Sequence, residues 1–295
     1  MLKMNTKERK HFRIISWGGV GDALLLTPAF SAIKARFPDA RLSVFYPREP
    51  HRQIFRHNPH IDSLKKFTFG HAPLSRIRYR LRPDAFMMPA YGALYPTKYY
   101  QKHAMKIIGE MIGLDLESPR VELYLQEEEL AAGDRRLAAY KSPILMQTVT
   151  GCSANKNWPH EKWEALVASM PDHTFIQLGA KGEKPVAGAV NMTGLSFRES
   201  FAMMRSASAF VGVESCFAHA SNAFQLPGVA LFGPSAPVIW GHNNLTNLYR
   251  NASCGPCLDI LLFEACPYGN GCMNFEVATV REALMKQLFT GKNTY

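Results

Sequence analysis

The chain predicts an α/β fold made of two doubly wound, Rossmann-like domains facing across a cleft. Three observations lead there. Short apolar runs of strand length alternate with stretches of helical periodicity. That alternation starts twice, at Arg13 and again at Ile144. And 295 residues is enough chain for two domains at about 150 residues each. The charged, alanine-rich stretch 127–140 ends just before Pro143 opens a new apolar run, so the halves divide as 1–140 and 141–295.

Residues 13–17 read as the first strand, followed by the loop Gly18-Gly19-Val20-Gly21-Asp22. Residues 23–37 place Leu24, Leu25, Ala29 and Ile33 at helical spacing, with Pro28 tolerable near the first turns. Residues 41–46 form the next strand, completing the β-loop-α-β start of a parallel sheet. From 47 to 83 the periodicity weakens among His and Arg; Arg76, Arg78, Arg80 and Arg82 alternate with apolar or aromatic residues, as an exposed strand edge or a basic binding face would. A strand over 84–89, a long helix over 97–114, a short extended piece over 121–125 and an exposed helix over 127–140 complete the first domain.

The second domain repeats the pattern with a strand over 144–149, a helix over 161–170, a strand over 174–178, a glycine-rich loop and a helix over 196–206. Residues 210–235 then read as one βαβ unit: a buried strand, a loop carrying Glu214 and Ser215, a helix opening near Phe217, the Pro227-Gly228 turn, a second strand and the loop Gly233-Pro234-Ser235. A last helix, about 279–289, has an apolar stripe and is open to packing back on the first domain.

The formal net charge is +10, and it is uneven. Through Leu125 there are 21 Lys and Arg against 10 Asp and Glu; beyond it, 13 against 14. The first half is then either an ordinary solvated surface or a face for something acidic: nucleic acid, anionic lipid, or a phosphorylated or carboxylated substrate. No nucleic-acid-binding motif accompanies the charge, so nucleic acid is not expected as a partner. No apolar run reaches the roughly 18 residues of a membrane span. The basic start leads only to a short apolar run and no cleavage-like segment. These features place the protein in the cytoplasm, with peripheral contact at the inner membrane left open through the basic half.

Several residues are candidates for chemistry. The loop from Gly18 to Asp22 lacks the Lys-Ser/Thr of a P-loop and is either a tight strand-to-helix turn or a phosphate cradle. Asp22, at a strand's carboxyl end, has the position to accept a proton from a bound hydroxyl, and is also favourable against a helix dipole. The loop 148–159 offers Thr148, Thr150, Gly151 and Lys156: short donors, close backbone approach and one cation, which is what a diphosphate requires. Glu214 is a carboxylate in an apolar stretch and needs a partner, such as a ribose diol. His219, one turn into the following helix, is either structural or a donor to phosphate or ribose oxygen.

The cysteines run Cys254-x2-Cys257-x8-Cys266-x5-Cys272. Four such thiols suit a structural zinc or iron site, free thiols, or disulfide or redox pairs, the last unusual in a reducing cytoplasm. Asp-x-Asp does not occur, which argues against a diphosphate held through a carboxylate-bound metal.

With these residues in view, the chain resembles the glycosyltransferase family 9 enzymes, the ADP-heptose:lipopolysaccharide heptosyltransferases. The resemblance rests on Gly19-Val-Gly-Asp22-Ala-Leu-Leu-Leu-Thr27-Pro28-Ala29, on Lys156-x-Trp158-Pro159, on Glu214-Ser215-x3-His219, on Leu231-Phe-Gly233-Pro234-Ser235 and on the cysteine tail to Cys272-Met273. It implies a GT-B fold with the acceptor in the first domain and the nucleotide-sugar donor in the second, inversion at the sugar carbon, and no cofactor for catalysis. By position, Asp22 would be the base, with Gly19 and Gly21 in the acceptor-side loop. Thr148, Thr150 and Lys156 would hold the diphosphate. Glu214, Ser215, Cys216 through its backbone, and His219 would contact nucleotide and phosphate. The family commonly has Asp-Thr/Ser-Gly where this chain has Glu214-Ser215-Cys216. The implied reaction moves heptose from a nucleotide donor, ADP-heptose, to a lipopolysaccharide-core or related surface glycan; an acidic glycolipid or glycan acceptor accounts for the basic first half. The alternative is a non-catalytic nucleotide-sugar-binding or regulatory protein with the same fold.

Overall fold

The computed structural model describes residues 11–67, 85–88, 101–117, 119–257 and 265–291. The chain divides into two compact units, the first comprising residues 1–97 and 102–124, the second 98–101 and 125–295.

In the first unit, β1 (His11–Ser16) leads to α1 (Val20–Leu26), α2 (Pro28–Arg36), β2 (Arg41–Tyr46), α3 (Glu49–Phe55), β3 (Ser63–Lys66), β4 (Ala85–Met88) and α4 (Ala104–Met111). Its strands are parallel, in the order β3-β2-β1-β4. The single helix expected over 23–37 is two. Pro28 has no N–H to give the Leu24 carbonyl. The Thr27 hydroxyl donates to that carbonyl instead, at 2.7 Å, and its oxygen accepts from Glu122 N at 2.9 Å. Glu122 also accepts from Ser31 Oγ at 2.5 Å. These side-chain bonds hold the 121–125 stretch, expected as an extended piece, without placing it in a sheet. The long helix expected over 97–114 is only α4 within the described residues, and the Arg76 to Arg82 alternation lies outside them.

The second unit runs α5 (Glu127–Leu137), β5 (Pro143–Gln147), a 3-10 turn (Ala154–Lys156), α6 (His160–Ala168), β6 (Thr174–Leu178), β7 (Val190–Asn191), α7 (Phe197–Ala202), β8 (Ala209–Val213), α8 (Cys216–Ala223), β9 (Gly228–Phe232), α9 (Pro237–Trp240), β10 (Leu245–Tyr249) and α10 (Val277–Gly291). The parallel sheet has the order β10-β9-β8-β5-β6-β7. Every residue of β5, β8 and β9 is buried, as continuous apolar strands covered on both faces should be. β9 opens on Gly228 because a Cβ there would come within 2.7 Å of the Phe210 carbonyl carbon on β8.

The expected boundary at 140/141 and the observed one at 124/125 differ by α5. This helix packs on α7 and the turn Met203–Arg205. Gly133 lets it approach: a Cβ there would lie 2.7 Å from the Ala202 carbonyl oxygen. Arg198 grips Glu129 through two N–H groups, and Arg205 reaches Glu127 at 2.8 Å and also Asp134. α10 packs on β8, β9, β10 and α6, all in the second unit, with Val280 and Leu284 fully buried in its core. Among the described residues no helix is long and apolar enough to cross a membrane.

Candidate functional site

In the second sheet, the chain proceeds from β5 to β6 and β7 on one side, and from β8 to β9 and β10 on the other. The connections after β5 and β8 therefore diverge, leaving a crevice beyond their carboxyl ends, where open α/β sheets bind ligands. Most of the polar residues expected to hold a ligand follow these two strands. Gln147 ends β5, and its side-chain oxygen accepts from Ser215 Oγ just past β8, closing the base of the crevice. Gln147 Nε2 donates to the Val149 carbonyl at 2.8 Å and so shapes the start of the next loop.

That loop is built on its own side chains. Thr148 is buried. Thr150 N donates to Asn157 Oδ1 at 3.1 Å, and Cys152 N donates to Thr150 Oγ1 at 3.3 Å. Ser153 caps the 3-10 turn by accepting from Asn155 N. Trp158 anchors the far end: it is buried edge-on against Trp163 at 4.8 Å, and its Nε1 donates to the Phe275 carbonyl at 3.1 Å. The turn between these anchors delivers Lys156, whose ammonium pairs with Glu214 Oε2. Their side chains are only 12% and 7% exposed.

Glu214 has further company. Ser235 Oγ donates to Oε2 at 2.7 Å, and His219 Nε2 lies 3.8 Å from Oε1. His219 Nδ1 in turn is 2.8 Å from His242 Nε2. Cys216 is the first residue of α8, next to the helix's N-cap Ser215. Part of its surface meets solvent, yet the protein packed around the thiol pushes it up to about 12, so it stays protonated at neutral pH. A thiol held protonated is not a thiolate nucleophile.

After β6, Glu183 folds back on its own loop. Its Oε1 accepts from Ala180 N at 2.6 Å, while Oε2 is buried with no hydrogen-bond partner. Burial raises its carboxyl above the usual range.

In the first unit, the Gly18 to Asp22 stretch follows β1 and opens α1. Gly19 is the N-cap of α1, and its N–H donates to Asp22 Oδ2 at 2.6 Å. Gly18 has φ +91°, and a Cβ there would come within 2.9 Å of Asp22 Cγ; only glycine permits both the turn and the carboxylate. Gly21 lies inside α1 rather than in the loop. The Gly18 carbonyl accepts from His51 Nε2 at 3.1 Å and Arg48 Nη2 at 3.2 Å. His51 is fully buried, and its Nδ1 has no partner. Burial, opposed by the bond to Gly18 and aided by Arg48, holds its pKa below the usual histidine value.

Cys254, Cys257, Cys266 and Cys272 are all free thiols and line one cavity of about 130 Å³. Burial, with the other three thiols adding to it, raises Cys272. Asn155 and Pro234 are also in the cavity wall, so it adjoins the loops that carry Lys156 and Ser235. Among the described residues no three His, Cys, Asp or Glu converge in an arrangement that would hold a metal ion.

The structure thus brings Lys156, Glu214, Ser215 and His219 together, puts Thr148 and Thr150 in the loop that delivers Lys156, and keeps Asp22 in the other unit. Gln147, Ser235, His242, Glu183 and His51 were not singled out from sequence. Gln147 had a signal, as the single polar residue closing an apolar strand, and Ser235 stood in a Gly-Pro loop; His242 had none.

The sequence profile described as glycosyltransferase family 9 (heptosyltransferase) matches residues 98–265. Lipopolysaccharide heptosyltransferase 1 of Pseudomonas aeruginosa is 25% identical over 185 residues, which is 57% of this chain and 50% of that protein. The chain therefore matches about half the length of that curated relative. The fold is similar to that of Escherichia coli ADP-heptose lps heptosyltransferase II, with a TM-score of 0.72, 15% identity, and 96% of this chain and 99% of that chain covered. It is also similar to the dodecameric iron-containing heptosyltransferase TibC, solved in complex with ADP-D-beta-D-heptose, with a TM-score of 0.68, 17% identity, and coverage of 97% and 78%. The parallel sheets and these neighbours are those of the GT-B class.

Proposed function

Since this chain belongs to glycosyltransferase family 9 (heptosyltransferase), we propose that it transfers heptose from a nucleotide donor, ADP-heptose, to an acidic glycolipid or glycan of the lipopolysaccharide-core type. The observation that carries this reading is the buried Lys156–Glu214 pair at the mouth of the β5/β8 crevice, beside the amino end of α8. An ammonium has three N–H donors and can bridge a carboxylate and a phosphate oxygen at once. The N–H groups at a helix start add favourable dipole for an anion. Thr148 and Thr150 stand in the loop that delivers Lys156, next to the diphosphate.

The donor then occupies the second unit and the acceptor the first. Asp22 takes the proton of the acceptor hydroxyl as its oxygen attacks the anomeric carbon. The bond from that carbon to the diphosphate breaks with inversion, and Lys156 with the α8 N–H groups stabilises the leaving charge. No metal is required in this scheme. The basic first half recruits the phosphorylated acceptor at the inner membrane surface from the cytoplasm, an attraction screened over about 8–10 Å at physiological salt.

The four cysteines supply a soft donor set of the kind structural zinc or iron takes, and they line one cavity, but among the described residues no three of them converge as a bound ion requires. Such an ion would brace the C-terminal loops and take no part in transfer. Metal analysis of the purified protein and of Cys257→Ser tests it: equal metal content in the two removes the site.

The function is tested by calorimetric titration with ADP, UDP, GDP and dTDP in the presence of EDTA, followed by turnover of ADP-heptose. Preferential ADP binding and metal-free turnover are expected. Preference for another nucleotide overturns the donor, and ADP binding without turnover on any core acceptor returns the protein to the non-catalytic reading.

A further inference from the structure

We propose that His242 is a positioning residue that sets the tautomer of His219, so that His219 presents an N–H, and not a lone pair, to the phosphates of the donor. The inference rests on the reading of the Glu214 to His219 segment as a donor site.

The two rings are buried, at 3% and 4% exposure. They stand nearly perpendicular, at 83°, with centroids 5.1 Å apart. Nδ1 of His219 and Nε2 of His242 are separated by 2.8 Å. At that distance one nitrogen carries the shared hydrogen and the other accepts it, so two arrangements exist. The far side of the His219 ring decides between them. Its Nε2 faces Glu214 Oε1 at 3.8 Å. If a neutral His219 donated from Nδ1, its Nε2 lone pair would point at a carboxylate, which is repulsive in a buried setting. If His242 donates from Nε2, His219 accepts at Nδ1 and turns an N–H toward the carboxylate. The second arrangement satisfies both ends.

The consequence for an anionic ligand has the same sign. A His219 with hydrogen on Nε2 attracts a phosphate oxygen arriving beside Glu214, while the other tautomer repels it. His242 is itself held from its backbone: its carbonyl accepts from Asn247 Nδ2 at 2.9 Å and from Leu245 N at 3.2 Å. The loop after α9 therefore holds the backbone that carries one ring against the other, and neither residue is close to the other in sequence.

The test combines a spectroscopic readout with a rescue. In ¹⁵N-histidine-labelled protein without nucleotide, His219 should show a protonated Nε2 and an accepting Nδ1. His242→Gln places an amide N–H where Nε2 stood and should keep that signature and bind ADP within about threefold of wild type. His242→Phe fills the space without a donor; it should mix the tautomers and weaken ADP by about tenfold, the worth of one ordinary hydrogen bond. Hydrogen on Nδ1 of His219 in the wild-type protein overturns the inference even where ADP binding is intact. So does His242→Phe binding ADP as tightly as wild type, or His242→Gln binding no better than His242→Phe. Failure of the wild-type protein to bind ADP overturns the donor reading itself and, with it, the ligand role, whereas the nucleotide-free spectrum reports separately on the tautomer.

Discussion

Lys156 and Glu214 meet as a buried ion pair across 58 residues of chain, joining the loop after β5 to the end of β8. Each is covered because the other is there. Removing one partner of such a pair strands the other charge, which costs more than the pair contributes. Lys156→Ala should therefore lose about 3 kcal/mol of stability, the lower end of the usual range, because Ser235 and His219 stay beside the carboxylate. It should also weaken ADP by about tenfold or more, since a charge-assisted contact is lost. The double substitution Lys156→Met with Glu214→Leu should regain most of the stability in urea unfolding and none of the affinity. Recovery of both would mean that Lys156 never touches the ligand.

Asp22 has two duties that separate by substitution. Its carboxylate accepts the Gly19 N–H at the start of α1, and a base needs the same group ionised. Asp22→Asn keeps an oxygen for the cap while losing the base, so turnover should drop by about 10² to 10⁴ with stability and ADP affinity close to wild type. Asp22→Ala should in addition lose about 1 kcal/mol as an unmade helix cap. Turnover of the Asn variant within threefold of wild type would remove Asp22 from catalysis.

The same loop makes Gly18 a sensitive position. With φ at +91° and a Cβ aimed at Asp22 Cγ, Gly18→Ala should cost about 1–2 kcal/mol from the backbone alone and should displace the carboxylate. Turnover should fall while ADP binding, in the other unit, holds. Gly151→Ala is the control, because a Cβ at Gly151 meets nothing within 4 Å. If thermal midpoints of the two variants coincide, the left-handed turn is not a constraint.

How far these sites could be read in advance follows from where their partners come from. Glu214 and Lys156 were legible because each is anomalous locally, a carboxylate after an apolar strand and a cation in a polar loop. Their neighbours Ser235 and His242 lie beyond later strands of the same sheet, 21 and 23 residues from the groups they touch, and Gln147 is 68 residues from Ser215. Parallel crossovers assemble such groups, and no spacing along the chain encodes the meeting. β5, β6, β8 and β9 were read closely because they are buried and mostly apolar, whereas β7 and β10, at the edges and only partly buried, were missed. α3 was missed since one of its buried residues is His51, which reads as polar, and Pro50 stands in its first turn. The α1–α2 break was hidden because the apolar period runs straight through Pro28.

His51 yields the last prediction, on pH. It is neutral in the folded protein, with its pKa held below 6.5 mainly by burial. Well above pH 6.5 both folded and unfolded chains are neutral there and the residue adds no pH dependence. As pH falls below 6.5 the unfolded chain takes a proton that the folded one refuses until its own lower pKa is reached. The unfolded state then binds more protons, so stability falls across that window, by at most about 1.4 kcal/mol per pH unit for one group. His51→Gln keeps an N–H for the Gly18 carbonyl and cannot titrate. Urea unfolding at pH 7.5 and 5.5 should show the wild type losing more stability on acidification than the variant, with His11, whose pKa is also lowered chiefly by burial, contributing equally to both. Equal losses would show that His51 is protonated as readily in the folded chain as in the unfolded one. With the same affinity for the proton in both states, His51 would add no pH dependence, and acid would neither loosen nor tighten the loop that positions Asp22.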